Sequence, residues 1–217
     1  MAKLCVGSMV LSICSTNCYI IYREGDDRVI VVDPADHGDR IYAALEQKGF
    51  KVQAILLTHG HFDHIWGCKK LLDALNKEEA SKKVLLYACE HERELLNDVE
   101  MNVSEQAGRA CTANADVYLK DGEVMTIADM KFRVIWTPGH TEGSCCYYFE
   151  DDGVLVTGDT LFAESVGRTD FPTGSSAKLC NSIKEKLFVL PDETKCFPGH
   201  GAQTTIGYEK ENNPFVY

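Results

Sequence analysis

The chain lacks any run of about 18 apolar residues, so no segment reads as a membrane-spanning helix and a soluble protein is expected. It also lacks a lysine or arginine run, and 33 acidic residues stand against 22 basic ones for a net charge of −11. A chain so charged repels a nucleic-acid backbone, which excludes that class of partner. None of the ten cysteines pair at CxxC spacing, and a chain of 217 residues does not need disulfide staples. The thiols therefore read as reduced, small buried hydrophobes. The apolar start from Leu4 to Cys14 is broken by Gly7, Ser8 and Ser12, and no Ala-x-Ala site follows. It is read as a strand rather than a signal peptide, and the cytoplasm is the expected compartment. There is no fixed-period repeat, low-complexity tract or Pro/Gly/Ser-rich linker, so residues 1–217 are read as a single domain.

What is present is a hydrophobic content of 45%, ample for a core. Met9 to Ile13, Tyr19 to Tyr22 and Val29 to Val32 have strand patterns, the last two joined by the turn Gly25-Asp26-Asp27. Ile41 to Lys48 reads as a helix stopped by Gly49, Val52 to Thr58 as an apolar strand, and Ile65, Cys68, Leu71, Leu72 and Leu75 recur at helical spacing. Val84 to Ala88 is a further strand, followed by a short charged helix through His91 and Leu95, and residues 98 to 115 are polar without a pattern. Three more strands follow at Phe132 to Thr137, Cys145 to Phe149 and Val154 to Thr157. A helix then carries Leu179, Ile183 and Leu187 behind the capping serines 175 and 176, and a last strand ends at Phe197. This order predicts a layered α/β fold with mixed sheets.

Four apolar runs end in a small or turn residue followed by a metal-type side chain: ILLT before His59, VIWTPG before His140, VLVTG before Asp159 and CFPG before His200. Strands that stop at one sheet edge can aim short loops at a common point. Thr58-His59-Gly60-His61-Phe62-Asp63-His64 packs four candidates, His59 among them, between a strand and a helix. Imidazoles so close repel one another when protonated and gain little from proximity without a cation. His37, in a polar turn, and His91, on a charged helix face, read as solvated side chains. Asp33, at the end of a strand, either orients a ligand by a hydrogen bond or merely ends the strand.

The set His59, His61, Asp63, His64, His140, Asp159 and His200 is a mixed nitrogen and oxygen donor set suited to zinc, iron or manganese. It exceeds what one tetrahedral ion takes, while two ions sharing a carboxylate keep positions for water. Hydroxide held between two such cations is a strong nucleophile near neutral pH, and the implied reaction class is hydrolysis.

On these residues the chain resembles the metallo-β-lactamase superfamily, whose motif T-H-x-H-x-D-H stands here as Thr58 to His64. His140, Asp159 and His200 follow in the family's order. The resemblance runs from Thr16-Asn17-Cys18-Tyr19 through Gly158-Asp159-Thr160-Leu161-Phe162 to Asn213-Pro214-Phe215. It implies an αββα sandwich of two mixed sheets flanked by helices, with metals at one edge. It further implies that His59, His61 and His140 hold one ion, that Asp63, His64 and His200 hold the other, and that Asp159 bridges them. Asp63 and Asp159 are then the candidate catalytic carboxylates, and the ions are zinc foremost, with iron or manganese also suited.

Gly158 to Phe162 with Gly167-Arg168-Thr169-Asp170 is most similar to the short glyoxalase-II-like hydrolases, without the helical glutathione-binding domain of glyoxalase II. This implies a small-molecule thioester such as S-lactoylglutathione as substrate, with neither nucleic acid nor membrane as partner. Arg168 is placed either to bind a carboxylate or phosphate of the substrate or to pair with Asp170 or Glu164. Asp159 stands where several true β-lactamases carry another residue, which points away from that activity. Persulfide dioxygenases resemble the chain too, with one iron on the counterparts of His59, His140 and Asp159, and superfamily lactonases and phosphodiesterases use similar ligands. Asn17-Cys18-Tyr19 and Phe171-Pro172-Thr173-Gly174 are closer to the hydrolase branch.

Overall fold

A computed structural model describes residues 2–78 and 83–216. The first six strands form one sheet. β1 (Leu4–Leu11) runs antiparallel to β2 (Thr16–Arg23), which pairs with β3 (Arg28–Val32) across the predicted turn, where Gly25 takes φ 81°. Strand and helix then alternate through α1 (Gly38–Gln47), β4 (Lys51–Leu56), α2 (Phe62–Ile65), α3 (Cys68–Glu78) and β5 (Leu85–Cys89). A 3₁₀ turn at Glu90–Glu92, α4 (Arg93–Leu96) and β6 (Val117–Leu119) complete this half, and β3 to β6 pair in parallel.

The second sheet has the order β14-β13-β10-β9-β8-β7. Its members are β7 (Val124–Ile127), β8 (Met130–Trp136), β9 (Cys145–Phe149), β10 (Val154–Gly158), β13 (Lys195–Pro198) and β14 (Thr204–Thr205). Between β10 and β13 lie the small hairpin β11 (Leu161–Phe162) and β12 (Ser165–Val166), then α5 (Ser176–Ser182), continued by a wider π turn at Ile183–Leu187. α6 (Ile206–Asn212) follows β14.

The period of two along each strand sorts side chains into layers. Ile30 and Val32 of β3 meet Phe132, Tyr147, Phe149 and Val156 in a core between the sheets. Val29 and Val31 point the other way, against Ile41 and Leu45 of α1 and Leu71 of α3. In the second sheet Cys146, Tyr148 and Leu155 face Leu179 of α5, Ile183 and Leu187. Burial on both faces explains why these strands read as continuous apolar runs rather than alternating ones. Each fully buried Leu, Ile or Phe contributes about 1.5–3 kcal/mol. The fold is the αββα sandwich that the resemblance implied.

The differences from the sequence reading are local. The first strand runs from Leu4 to Leu11 rather than from Met9 to Ile13, and Ile13 lies in the turn that follows. The helical spacing from Ile65 to Leu75 is interrupted at Gly67, whose N–H donates to Pro34 O at 2.9 Å and whose position a Cβ would jam against that carbonyl. The short strands β6, β7 and β14 lie outside the sequence expectation, because two to four mostly part-exposed residues carry too little apolar pattern to register. All ten cysteines are free thiols, and no helix among the described residues is long and apolar enough to cross a membrane.

Candidate metal centre

Asp33, Thr58-His59, Thr137 to His140, Gly158-Asp159 and Gly199-His200 all follow the C-terminal ends of strands, namely β3, β4, β8, β10 and β13. The two sheets deliver them to one edge. The ligand atoms converge there in three overlapping groups: His59 with His61 and His140, His59 with His64 and Asp159, and Asp63 with His64 and His200. Asp159 Oδ2 lies 3.5 Å from His140 Nε2 and 3.4 Å from His200 Nε2, so this carboxylate stands between the outer two groups.

Glycine makes the approach possible. A Cβ on Gly199 would overlap Asp159 Oδ1 and lie 2.8 Å from His64 Cε1, and one on Gly158 would strike the Thr58 side chain. Gly158 also takes φ 47°, a left-handed turn that glycine adopts without steric cost.

The hydrogen bonds outside the cluster fix which nitrogen each imidazole turns inward. His140 Nδ1–H donates to Arg168 O at 2.7 Å, His64 Nδ1–H to Asp33 Oδ2 at 2.9 Å, and His200 Nδ1–H to Cys14 O at 3.1 Å. The Thr58 hydroxyl donates to Asp33 Oδ2 at 2.7 Å and accepts from His59 Nδ1–H at 3.2 Å. Each of these four rings, when neutral, therefore aims an Nε2 lone pair at the centre.

Such lone pairs repel unless a cation sits among them. His140 Nε2 lies 3.2 Å from His59 Nε2 and 2.9 Å from His61 Nδ1, too many acceptors for the protons available. His64 Nε2 lies 3.4 Å from Asp159 Oδ1 and 3.7 Å from Asp63 Oδ2 without hydrogen-bonding either. Among the described residues, His61 Nε2, His64 Nε2 and Asp159 Oδ1 are buried without a hydrogen-bond partner. Orphaned polar atoms in a buried cluster of this composition are the signature of a metal position, and the donor set fits divalent ions.

The titration behaviour of the bare cluster points the same way. Burial pushes His59 well below its usual value, His61 to about 3 and His140 downward, with neighbouring imidazoles adding to the effect on His59 and His61. Burial acts likewise on His64 and His200, but Asp63 and Asp159 outweigh it, holding His64 well above its usual range and His200 at about 9. Burial would raise Asp63 and Asp159, yet the adjacent imidazoles hold Asp63 at about 2 and Asp159 well below the usual carboxylate range. Protons on His64 and His200 thus occupy, electrostatically, the place that a cation would take.

Every ligand candidate named from the sequence reaches this cluster. Of the two remaining histidines, His91 stacks on Trp136 at 4.4 Å and His37 lies 3.9 Å from Asp36, both part-exposed. Arg168 makes two hydrogen bonds of 2.7 Å to Asp170 and places its guanidinium carbon 3.8 Å from the centre of the Phe171 ring, with its side chain 56% exposed. Its backbone carbonyl, which orients His140, was not foreseen.

Other supporting residues escaped the sequence reading. The Thr16 hydroxyl donates to Asp63 Oδ2 at 2.6 Å, and Glu92, 1% exposed, accepts from Gly60 N–H at 2.8 Å. The pattern of polar residues could not separate Glu92 from its solvated neighbours Glu90, His91 and Glu94. Asp33 resolves in favour of orientation: besides His64 and the Thr58 hydroxyl it accepts from Thr58 N–H at 2.8 Å.

Comparison with known proteins places the chain in a family. The chain is 35% identical to the probable metallo-hydrolase YqgX of Bacillus subtilis, over 92% of each chain. It is 32% identical to the hydroxyacylglutathione hydrolase GloC of Haemophilus influenzae, again over 92% of each. Among solved structures, the B3 metallo-β-lactamase BLEG-1 superposes with a TM-score of 0.90 at 36% identity, covering 98% of this chain and 99% of that one. TTHA1623 in a di-iron-bound form gives 0.84 at 31% identity, covering 97% and 100%. ETHE1 from Myxococcus xanthus gives 0.76 at 27%, covering 97% and 83%. The metallo-β-lactamase superfamily profile matches residues 11–200, and with these relatives it establishes that the chain belongs to that superfamily of divalent-metal hydrolases.

Proposed function

We propose that this protein is a thioester hydrolase of the glyoxalase II type, acting on S-lactoylglutathione or a related acyl thioester. His59, His61 and His140 would hold one divalent ion and Asp63, His64 and His200 a second, with the Asp159 carboxylate available to both, and zinc is the first choice. The observation that carries this reading is the position of Asp159, within 3.5 Å of imidazoles from both groups. Bound divalent ions supply a charge that activates water near neutral pH and polarises a substrate carbonyl.

The chain's own residues supply orientation. Thr16 and Asp33 hold Asp63 and His64, while Arg168 O and Thr58 hold His140 and His59. A thiolate leaves without obligatory protonation, so no general acid is required beside the carbonyl. The Arg168–Asp170 pair is exposed, and such pairs contribute about 0–1 kcal/mol, so a substrate carboxylate can displace Asp170 at little cost. The Arg168 and Phe171 pair adjoins His61, whose ring lies 5.4 Å from that of Phe171. The identity with GloC supports the thioester, and the free thiols are consistent with a cytoplasmic setting.

Two specific resemblances define the rivals to be tested: BLEG-1 suggests a β-lactam substrate, and the di-iron-bound form of TTHA1623 suggests iron chemistry. Zinc-loaded and iron-loaded protein are to be assayed anaerobically for loss of S-lactoylglutathione, in parallel for β-lactam hydrolysis, and for oxygen uptake with glutathione persulfide. Anaerobic thioester cleavage by the zinc form is the expected result. Oxygen uptake confined to the iron form, with no thioester cleavage by either, overturns the reading in favour of a persulfide dioxygenase. β-Lactam hydrolysis without thioester cleavage overturns it in favour of a lactamase.

A further inference from the structure

Glu92 closes the 3₁₀ turn after β5 and is buried among backbone groups rather than exposed with its acidic neighbours. Its carboxylate joins two loops that are distant in sequence. Oε1 accepts from Gly60 N–H at 2.8 Å, and Oε2 accepts from the Thr141 hydroxyl at 3.0 Å, with the Gly143 N–H also directed at the carboxylate. Gly60 lies between His59 and His61, and Thr141 follows His140. The same loop is closed on itself by Ser144, whose hydroxyl is 2.7 Å from Thr141 Oγ1 and accepts from Thr141 N–H at 3.1 Å.

The geometry matters most for His61. His59 and His140 are each anchored at the outer ring nitrogen, but His61 Nε2 has no partner among the described residues, so none of them orients that ring by a side-chain hydrogen bond from outside the cluster. Its direction rests on the backbone of the Gly60 loop and on the edge contact with Phe171. Gly60 itself has no room to shift toward α4, since a Cβ there would lie 2.8 Å from Leu96 Cδ2 and 2.9 Å from Leu95 Cδ2. The Gly60 N–H bond to Glu92 therefore restrains the loop that carries His61 on one side, as the Phe62 N–H bond to Asn102 O at 3.0 Å does on the other, and the Thr141 bond ties the same carboxylate to the loop that carries His140.

We propose that Glu92 is a positioning residue for the His59–His61–His140 group: by bridging Gly60 and Thr141 it sets the spacing of the two ligand loops, and so the metal affinity of that position alone. This rests on the two-metal reading above. A carboxylate accepts from all of these donors at once, whereas a carboxamide has one oxygen and must turn its NH₂ toward an N–H of one loop. Glu92→Gln keeps the shape and releases a loop. Nothing in the contacts of Glu92 reaches Asp63, His64 or His200, whose supports are Thr16, Asp33 and Cys14 O.

The test is a cobalt(II) titration of wild-type apoprotein, Glu92→Gln and Thr141→Val against a competing chelator at about pH 8, where Glu92 is ionised, followed by visible absorption. His61→Ala and His200→Ala identify which step belongs to which position. The expected result is a 10- to 100-fold loss of affinity at the His61-dependent position in Glu92→Gln, the range that supporting residues of metal ligands command. The His200-dependent position should stay within about twofold, and Thr141→Val should show a smaller loss at the same position as Glu92→Gln. If the wild type takes up two equivalents and Glu92→Gln weakens both positions alike, or neither, the inference is overturned and the two-metal reading stands. Should Glu92→Gln not fold, Thr141→Val decides by the same criterion. Uptake of fewer than two equivalents by the wild type overturns the two-metal reading and this inference with it.

Discussion

Asp33 and His64 meet through a 2.9 Å hydrogen bond between Oδ2 and Nδ1–H, with both side chains buried to within 1% of full enclosure. Asp33 takes φ 50°, a left-handed conformation that Asp and Asn tolerate better than most residues. The turn it makes after β3 swings the carboxylate across the end of β4, where it also receives both donors of Thr58. One carboxylate thereby fixes the tautomer of His64 and, through the Thr58 hydroxyl, that of His59.

Asp33→Asn retains the backbone conformation while removing the charge and one acceptor. It is expected to lower the affinity for divalent metal by about 10- to 100-fold, because the neutral tautomer with Nε2 free to ligate loses its restraint. Chelator-competition titration measures this, and an affinity equal to that of the wild type would show that Asp33 only terminates its strand.

The contrast between ligands and bystanders gives a second prediction. His140→Ala and Asp159→Ala should each reduce turnover by at least about 100-fold, since an open metal position or a lost bridge removes charge stabilisation at the reacting centre. His91→Ala, which removes only a part-exposed ring stacked on Trp136, should leave turnover within about twofold and stability within about 0.5 kcal/mol. Comparable losses from all three in steady-state assays would dissolve the assignment.

Gly199 offers a steric test that leaves every ligand in place. The methyl group of Gly199→Ala would enter the space of Asp159 Oδ1 and press on His64 Cε1, so one or both must move. Bound metal measured by elemental analysis should fall below half of the wild-type content, whereas Gly7→Ala, in the edge strand β1 with no atom nearer than 3.8 Å, should retain it. Full metal content in Gly199→Ala would mean that the cluster yields more readily than close packing allows.

Much of the site was readable because its ligands sit at the ends of apolar runs, where hydrophobicity marks the strand and Gly or Pro marks the turn. The supports were not readable for a physical reason: they are contacts between segments that sequence spacing does not relate. Thr16 reaches Asp63, 47 positions away, and Cys14 O reaches His200, 186 positions away. Glu92 lies in the stretch Glu90-His91-Glu92-Arg93-Glu94, where every residue suits a solvated surface and only the packing of α4 against the Gly60 loop turns one inward. The fold was legible for the same reason that the ligands were, since strands buried on both faces write long apolar words. β7 and α6 are half-exposed, and their composition carries no such mark.

Burial of Glu92 has a consequence for stability that can be measured without metal. Burial raises its carboxyl from the usual 4.5 to about 7, against the lowering influence of Gly60 N–H, Thr141 and Gly143 N–H. Between those two pH values the folded protein holds a proton on Glu92 that the unfolded chain has released. The unfolded state therefore binds fewer protons, and stability from this group is complete below pH 4.5 and declines as pH rises to about 7. Glu92→Gln does not titrate, so the other groups cancel in the difference between the two apoproteins. Denaturant unfolding at pH 5 and pH 7 should show the stability of the wild type relative to Glu92→Gln falling by about 2 kcal/mol on going to the higher pH. A difference independent of pH would mean that Glu92 is already ionised in the folded apoprotein at pH 5. The hydrogen bonds from the two ligand loops would then outweigh burial.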